Sequence, residues 1–202
     1  MKKGNTKTKK SMINTTTIHI GNMCCLRCID AVADELKNLK LKVAAVKLGE
    51  ASFEYSNNIN IDDVDTALNK RGFIVIKNEE EIIIENIKIA ILDIINHLED
   101  KDNDKFKLSE ILEGKIKKPY RYLATIFKKH KNYSIEKFFI LQKIEKTKEL
   151  IENTNLTFSE VAYSLAYKSL PHLSLQFHQN VGMTMYDYKR SSAKKRDFID
   201  AI

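Results

Sequence analysis

Three cysteines, Cys24, Cys25 and Cys28, fall within five residues, and the chain contains no others. A disulfide framework would spread an even number of cysteines along a secreted chain, so this clustering points to metal or redox chemistry in a reducing compartment. Cys25 and Cys28 make a C-x-x-C pair whose thiols can converge on one ion, with Cys24 as an additional thiol beside them. Soft thiolates favour Cu(I), Zn(II) or heavier thiophilic ions over Mg or Ca. The same pair could act as a dithiol or stand as inert thiols on an interaction domain, and the spacing alone leaves those readings open. The five histidines, His19, His97, His130, His172 and His178, are scattered and form no second site.

The segments around the cysteines alternate between strand-like and helix-like patterns. Thr17 to Ile20 alternates at period two, with Ile18 and Ile20 facing a core. Ile29, Val32, Ala33, Leu36 and Leu39 recur at helical spacing. Two strands are expected over Lys42–Leu48 and Ala51–Tyr55, joined by a turn at Gly49-Glu50. Asp62 or Asp63 can cap a second helix through Val64, Ala67 and Leu68 that stops at Gly72, and Phe73 to Ile76 reads as a last strand. The order βαββαβ is that of a ferredoxin-like α+β domain. The thiols then lie in the loop before the first helix, whose N-terminal partial charge favours thiolate. With Met23, Cys25 and Cys28 matching the signature M-x-C-x-x-C, residues 14–77 resemble a heavy-metal-associated domain. The resemblance implies that Cys25 and Cys28 are ligands to Cu(I) or Zn(II) and that Met23 is a buried support, with Cys24 at a variable position.

The second half differs in charge and in pattern. Residues 1–104 hold 15 Lys/Arg against 17 Asp/Glu, a net of −2, whereas residues 105–202 hold 19 against 10, a net of +9. A polyanionic partner is expected for the basic half. Segment 107–138 also aligns with 157–188 at a constant offset of 50 residues. Ser109 pairs with Ser159, Glu110 with Glu160, Leu123 with Leu173, Phe127 with Phe177, Ser134 with Thr184 and Phe138 with Tyr188. Asn132 pairs with Gly182, the two residue types that best tolerate a left-handed backbone after a helix. Each copy reads as helix, turn, helix. Thr157-x-x-Glu160 is a capping box, Ser169 can cap the next helix with Pro171 in its first turn, and Pro119 opens the corresponding helix of the first copy. A long helix over Ile135 to Glu152, with Phe138, Leu141, Ile144 and Ile151 on its core face, joins the copies. The expected architecture is all-α, two tandem helix-turn-helix units able to enter successive major-groove faces. A helical bundle or solenoid used for protein contact is the alternative.

From about Lys105 to Arg190 the chain resembles the AraC family of transcription regulators. Phe177-x-x-x-x-Gly182-x-Thr184-x-x-x-Tyr188 carries most of the likeness, and Glu160-Val161-Ala162 with Ala166-Tyr167 matches further family elements. Met185 stands where a proline is usual, Ala166 where a glycine is, and Leu175 where many members place an arginine. The resemblance implies a groove-facing set of Arg121, Ala124 and Thr125 on the first recognition helix and Ser169, Leu170, Pro171, Ser174 and Leu175 at the second. Of the helix residues, Arg121, Thr125 and Ser174 can hydrogen-bond base edges, so thymine methyl contact and DNA shape should contribute to specificity. Lys118, Lys128, Lys129 and Lys168 are candidates for phosphate contacts.

These readings divide the chain into a disordered basic tail at 1–13, the metal-associated domain at 14–78, a linker helix and loop at 79–104, the double helix-turn-helix domain at 105–192 and a tail at 193–202. In the linker, Ile84, Ile87, Ile91, Ile94 and Leu98 form one apolar stripe, suited either to packing on a domain or to a homodimer seam through residues 79–100. No apolar run approaches the ~20 residues of a membrane span, and no nucleophile elbow, phosphate loop or zinc-protease motif is present. The expectation is a cytoplasmic, non-enzymatic regulator that binds double-stranded DNA, contacts RNA polymerase and responds to a thiophilic metal. Two alternatives stay open: a regulator whose first domain serves dimerisation or protein contact without metal, and a metal carrier whose helical half docks a partner.

Overall fold

Alternating apolar residues place β1 (Asn14–Gly21) inside the sheet of the N-terminal unit, with Ile18 and Ile20 buried. The computed structural model describes residues 14–55, 60–98 and 107–191 and divides the chain into two units, residues 1–78 and 79–202. The tails expected at 1–13 and 193–202 and the loop expected at 99–104 lie outside the described residues.

In the first unit β1 is followed by α1 (Leu26–Asn38), β2 (Lys42–Lys47), β3 (Glu50–Tyr55), α2 (Ile61–Asn69) and β4 (Ile74–Ile76). The sheet is antiparallel throughout, in the order β2-β3-β1-β4. Ile18, Ile20 and Phe53 from the strands meet Val32 and Leu36 of α1 and Val64 and Leu68 of α2 in one core. Two local expectations are corrected. The β2–β3 turn is Leu48-Gly49, one residue earlier than predicted, because Gly49 takes the positive φ of 81° that the turn needs. Asn60, not Asp62 or Asp63, caps α2: its side chain accepts the Asp62 N–H at 3.2 Å, and both aspartates sit in the first turn, favoured by the helix dipole.

The second unit is helical in its described residues: α3 (Glu79–Asn96), α4 (Leu108–Ile116), α5 (Tyr120–Lys131), α6 (Ile135–Asn153), α7 (Phe158–Ser164), α8 (Leu170–Val181) and α9 (Met185–Arg190). The stripe on α3 belongs to this unit's core. Ile87, Ile91 and Ile94 are fully buried in the same cluster as Leu112, Leu123, Phe127 and Phe138. The homodimer seam suggested for residues 79–100 is therefore not available on this stripe, because the chain's own helices already cover it. On α6, Phe138, Ile144 and Ile151 are buried while Leu141 is only half-buried. Gln142, Lys143, Glu145, Thr147 and Lys148 are buried as well, so polar groups occupy more of this helix's interior than the apolar stripe indicates. Lys148 pairs with Glu145 on α6, and Lys88 with Glu85 at 3.2 Å on α3, which keeps these buried charges matched.

Candidate nucleic-acid interface and thiol site

The thiol loop is held from both sides. Asn22, at a left-handed φ of 69°, ends β1, and its side-chain amide donates to the Gly72 carbonyl at 3.0 Å. Met23 then inserts into the core, 1% exposed, which gives the loop a fixed base. Cys25 is the N-cap of α1, and the three sulfurs gather there: Cys25 Sγ lies 3.6 Å and Cys24 Sγ 3.8 Å from Cys28 Sγ. All three lie within 4.8 Å of one another. At Cys25, burial works to raise the pKa, but hydrogen bonding from the backbone of Cys28, the Cys28 thiol and the backbone of Arg27 outweighs it, and the thiol is lowered. Cys24 is pushed up to about 12, first by burial and then by the neighbouring Cys28 and Cys25. A soft donor set of this kind fits a thiophilic ion and gives a hard oxygen-seeking ion no ligands.

The 50-residue repeat recurs in the helices themselves. α4 and α7 begin at Leu108 and Phe158, and α5 and α8 run over Tyr120–Lys131 and Leu170–Val181. Both second helices end on a left-handed residue, Asn132 at φ 62° and Gly182 at φ 81°. After each comes a capped helix: Ser134 accepts the Lys137 N–H at 3.2 Å, and Thr184 accepts the Asp187 N–H at 3.1 Å. Thr157 and Glu160 form the full capping box, and the Thr157 backbone N–H holds the Glu160 carboxyl below its usual range. Ser169 has the extended backbone of an N-cap but makes no side-chain capping bond.

The turns of the two units are built differently. The first is short and turns at Lys117, left-handed at φ 59°, with Pro119 as the N-cap of α5. The second turns at Ala166, at φ 53°, where a Cβ is costly and a glycine would be free of strain. Tyr167 fastens it: the ring is buried under Lys143 Nζ at 3.7 Å, and its hydroxyl donates to Gln176 Oε1 of α8 at 3.0 Å. Burial lowers the Lys143 pKa to about 8 and raises that of Tyr167. Ala166→Gly is expected to stabilise the chain by about 0.5–1 kcal/mol, the relief of left-handed strain less the extra entropy of an unfolded glycine. Urea unfolding of the full chain measures this, and an unchanged or lower stability would show that Ala166 is unstrained.

α5 exposes Arg121 and Thr125, with Ala124 half-buried beside them, and the Thr125 hydroxyl donates to the Arg121 carbonyl at 2.8 Å. At α8, Ser169, Pro171 and Leu175 are exposed and Leu170 and Ser174 half-buried, Leu175 being 58% open to solvent. Lys118, Lys128, Lys129 and Lys168 are all exposed. Lys129 is engaged within the chain: its Nζ donates to Glu80 Oε2 of α3 at 2.8 Å, and His130 Nε2 lies 2.7 Å from the same oxygen. His130 and then Lys129 hold the Glu80 carboxyl below its usual range. Tyr122, 43% exposed on α5 and 5.9 Å from Lys118 Nζ, was absent from the groove-facing set that the sequence suggests. Only its phase, one residue after Arg121 on an amphipathic helix, could have signalled it. Lys137 Nζ donates to Asn180 Oδ1 at 2.6 Å, tying the connector α6 to α8.

Two helix-turn-helix units in tandem, each with a second helix of the same length and the same kind of stop, are the class this half defines. Residues 115–191 match the family model described as a helix-turn-helix domain. An uncharacterized HTH-type transcriptional regulator, YdiP, of Escherichia coli (strain K12) is 26% identical over 102 residues, which is 50% of this chain and 33% of that protein. The chain thus aligns with only a third of this relative's length. Among solved structures, the C-terminal domain of AraT, a response regulator from Geobacillus stearothermophilus, is similar at 19% identity and a TM-score of 0.46, covering 59% of this chain and 97% of that one. The DNA-binding domain of AdpA, a global transcriptional factor in complex with a target DNA, is similar at 18% identity and a TM-score of 0.44, covering 52% and 90%. These relatives are named as a transcriptional regulator, a response regulator and a global transcriptional factor. No described helix is long and apolar enough to cross a membrane.

Proposed function

We propose that this chain is a sequence-specific, DNA-binding transcription regulator of the AraC type whose N-terminal unit binds a thiophilic metal. The observation that carries the DNA reading is the in-register repeat of helix, turn, helix and cap in a half bearing a net charge of +9. Arg121 supplies the bidentate donor that reads a guanine edge, Thr125 and Ser174 offer shorter hydrogen-bonding groups, and the exposed Leu175 suits a thymine methyl. Lys118, Lys128 and Lys168 hold the phosphates.

The order βαββαβ with the sheet β2-β3-β1-β4 supports a ferredoxin-like, heavy-metal-associated type for the first unit. Cys25 and Cys28 would hold the ion, which would cross-link the β1–α1 loop to the first turn of α1. The route to DNA is covalent: only Lys77 and Asn78 separate β4 from α3, and Glu80 in the first turn of α3 grips Lys129 and His130 at the end of α5. A shift of α3 would alter that grip. Metal and DNA affinities must then change each other by the same factor.

Selection of bound sequences from random duplexes by the full chain, with and without Cu(I) or Zn(II), tests both parts. Arg121→Ala is expected to cost about 1–3 kcal/mol and relax preference at one base step, while Lys128→Ala weakens all sequences alike. A full chain that retains no duplex at low salt overturns the regulator reading, and identical DNA affinity with and without metal overturns metal response.

A further inference from the structure

The geometry points to Cys24 as the third ligand of a three-thiolate site that selects Cu(I) over Zn(II). This rests on the reading that the N-terminal unit binds a thiophilic ion. Neighbouring residues on an extended strand direct their side chains to opposite sides. The backbone at Cys25 is extended, φ −156° and ψ 172°, yet the thiols of both Cys24 and Cys25 come within 4 Å of Cys28: 3.8 and 3.6 Å. The loop therefore turns Cys24 toward the C-x-x-C pair, and Cys28 is the shared neighbour of both other sulfurs.

Three sulfurs around one ion at ~2.3 Å each would stand about 4 Å apart, close to the observed spacings. A closed zinc site needs four protein ligands. Among the described residues no histidine or carboxylate joins the three sulfurs, so Zn(II) would lack its fourth protein donor. Cu(I) is selected by soft thiolates and is satisfied by three of them. Cys24 is exposed and packs into no core, so its replacement leaves the fold in place.

The test is anaerobic titration of the reduced full chain with Cu(I) against a competing chelator, together with X-ray absorption to count sulfur neighbours. Wild type is expected to bind one Cu(I) through three sulfurs and to prefer it to Zn(II). Cys24→Ser is expected to show two sulfurs and about a tenfold or larger loss of affinity, the scale on which metal sites respond to loss of supporting contacts. Two sulfurs in both proteins with equal affinity would remove Cys24 and leave a two-thiol metal site standing. Displacement of Cu(I) by Zn(II) from the wild type would overturn the selectivity. No Cu(I) uptake by a folded wild type would overturn the metal reading itself, and this inference with it.

Discussion

Replacing Ile87 and Ile91 of α3 together with aspartate is expected to unfold the helical unit and abolish duplex binding by the full chain. Both side chains are fully buried among Leu112, Leu123, Phe127 and Phe138. Each isoleucine contributes roughly 1.5–3 kcal/mol by burial, and an aspartate in its place adds the cost of an unpaired buried carboxyl. Two such changes reach the size of a whole domain's stability, about 5–15 kcal/mol. Urea titration followed by far-UV circular dichroism, with DNA binding measured on the same samples, checks this. Ile91→Val should cost only about 0.5–1.5 kcal/mol and keep binding. A double aspartate variant with a native transition and normal affinity would place α3 outside the core.

Duplex affinity of the wild-type chain is expected to fall roughly forty-fold between 50 and 200 mM salt, the loss for about three neutralised phosphates. Lys118, Lys128 and Lys168 are exposed along the helix-turn-helix units and supply these contacts, while Lys129 is held by Glu80 and joins them only when released. The Lys129 pair is itself solvent-exposed, so it competes only weakly with DNA. Glu80→Gln should therefore raise affinity at low salt by a few-fold and steepen the salt dependence by about one counterion. A salt-independent affinity would mean that these lysines do not face phosphate. An unaltered slope in Glu80→Gln would show that Lys129 stays off the duplex.

What the sequence made legible was local chemistry. The left-handed stops at Asn132 and Gly182 and the capping box at Thr157 depend on residues within a few positions of one another, so spacing alone reveals them. The gathering of Cys25 with Cys28 is of the same kind. The allegiance of α3 was not legible, because an isoleucine stripe states that a face is covered without naming what covers it. The Glu80 contacts to Lys129 and His130 join residues 49 and 50 positions apart, which no local pattern encodes. Buried Lys143, Glu145 and Lys148 on α6 were hidden for a related reason. Charged residues read as solvent-facing until a neighbouring ring or an opposite charge is known to lie over them. At α2, Asn60 and Asp62 are equally good capping types, and only the backbone decides between them.

The place of α3 also determines where this chain can be cut and rejoined. An input domain from another protein, grafted in front of residue 105 on the strength of the family likeness, would leave Leu112, Leu123 and Phe127 without the isoleucines that cover them. Grafted at Lys77-Asn78, with α3 retained, the same domain would meet an intact helical unit. The portable part of this protein begins with Glu79, a full helix ahead of the helix-turn-helix units themselves.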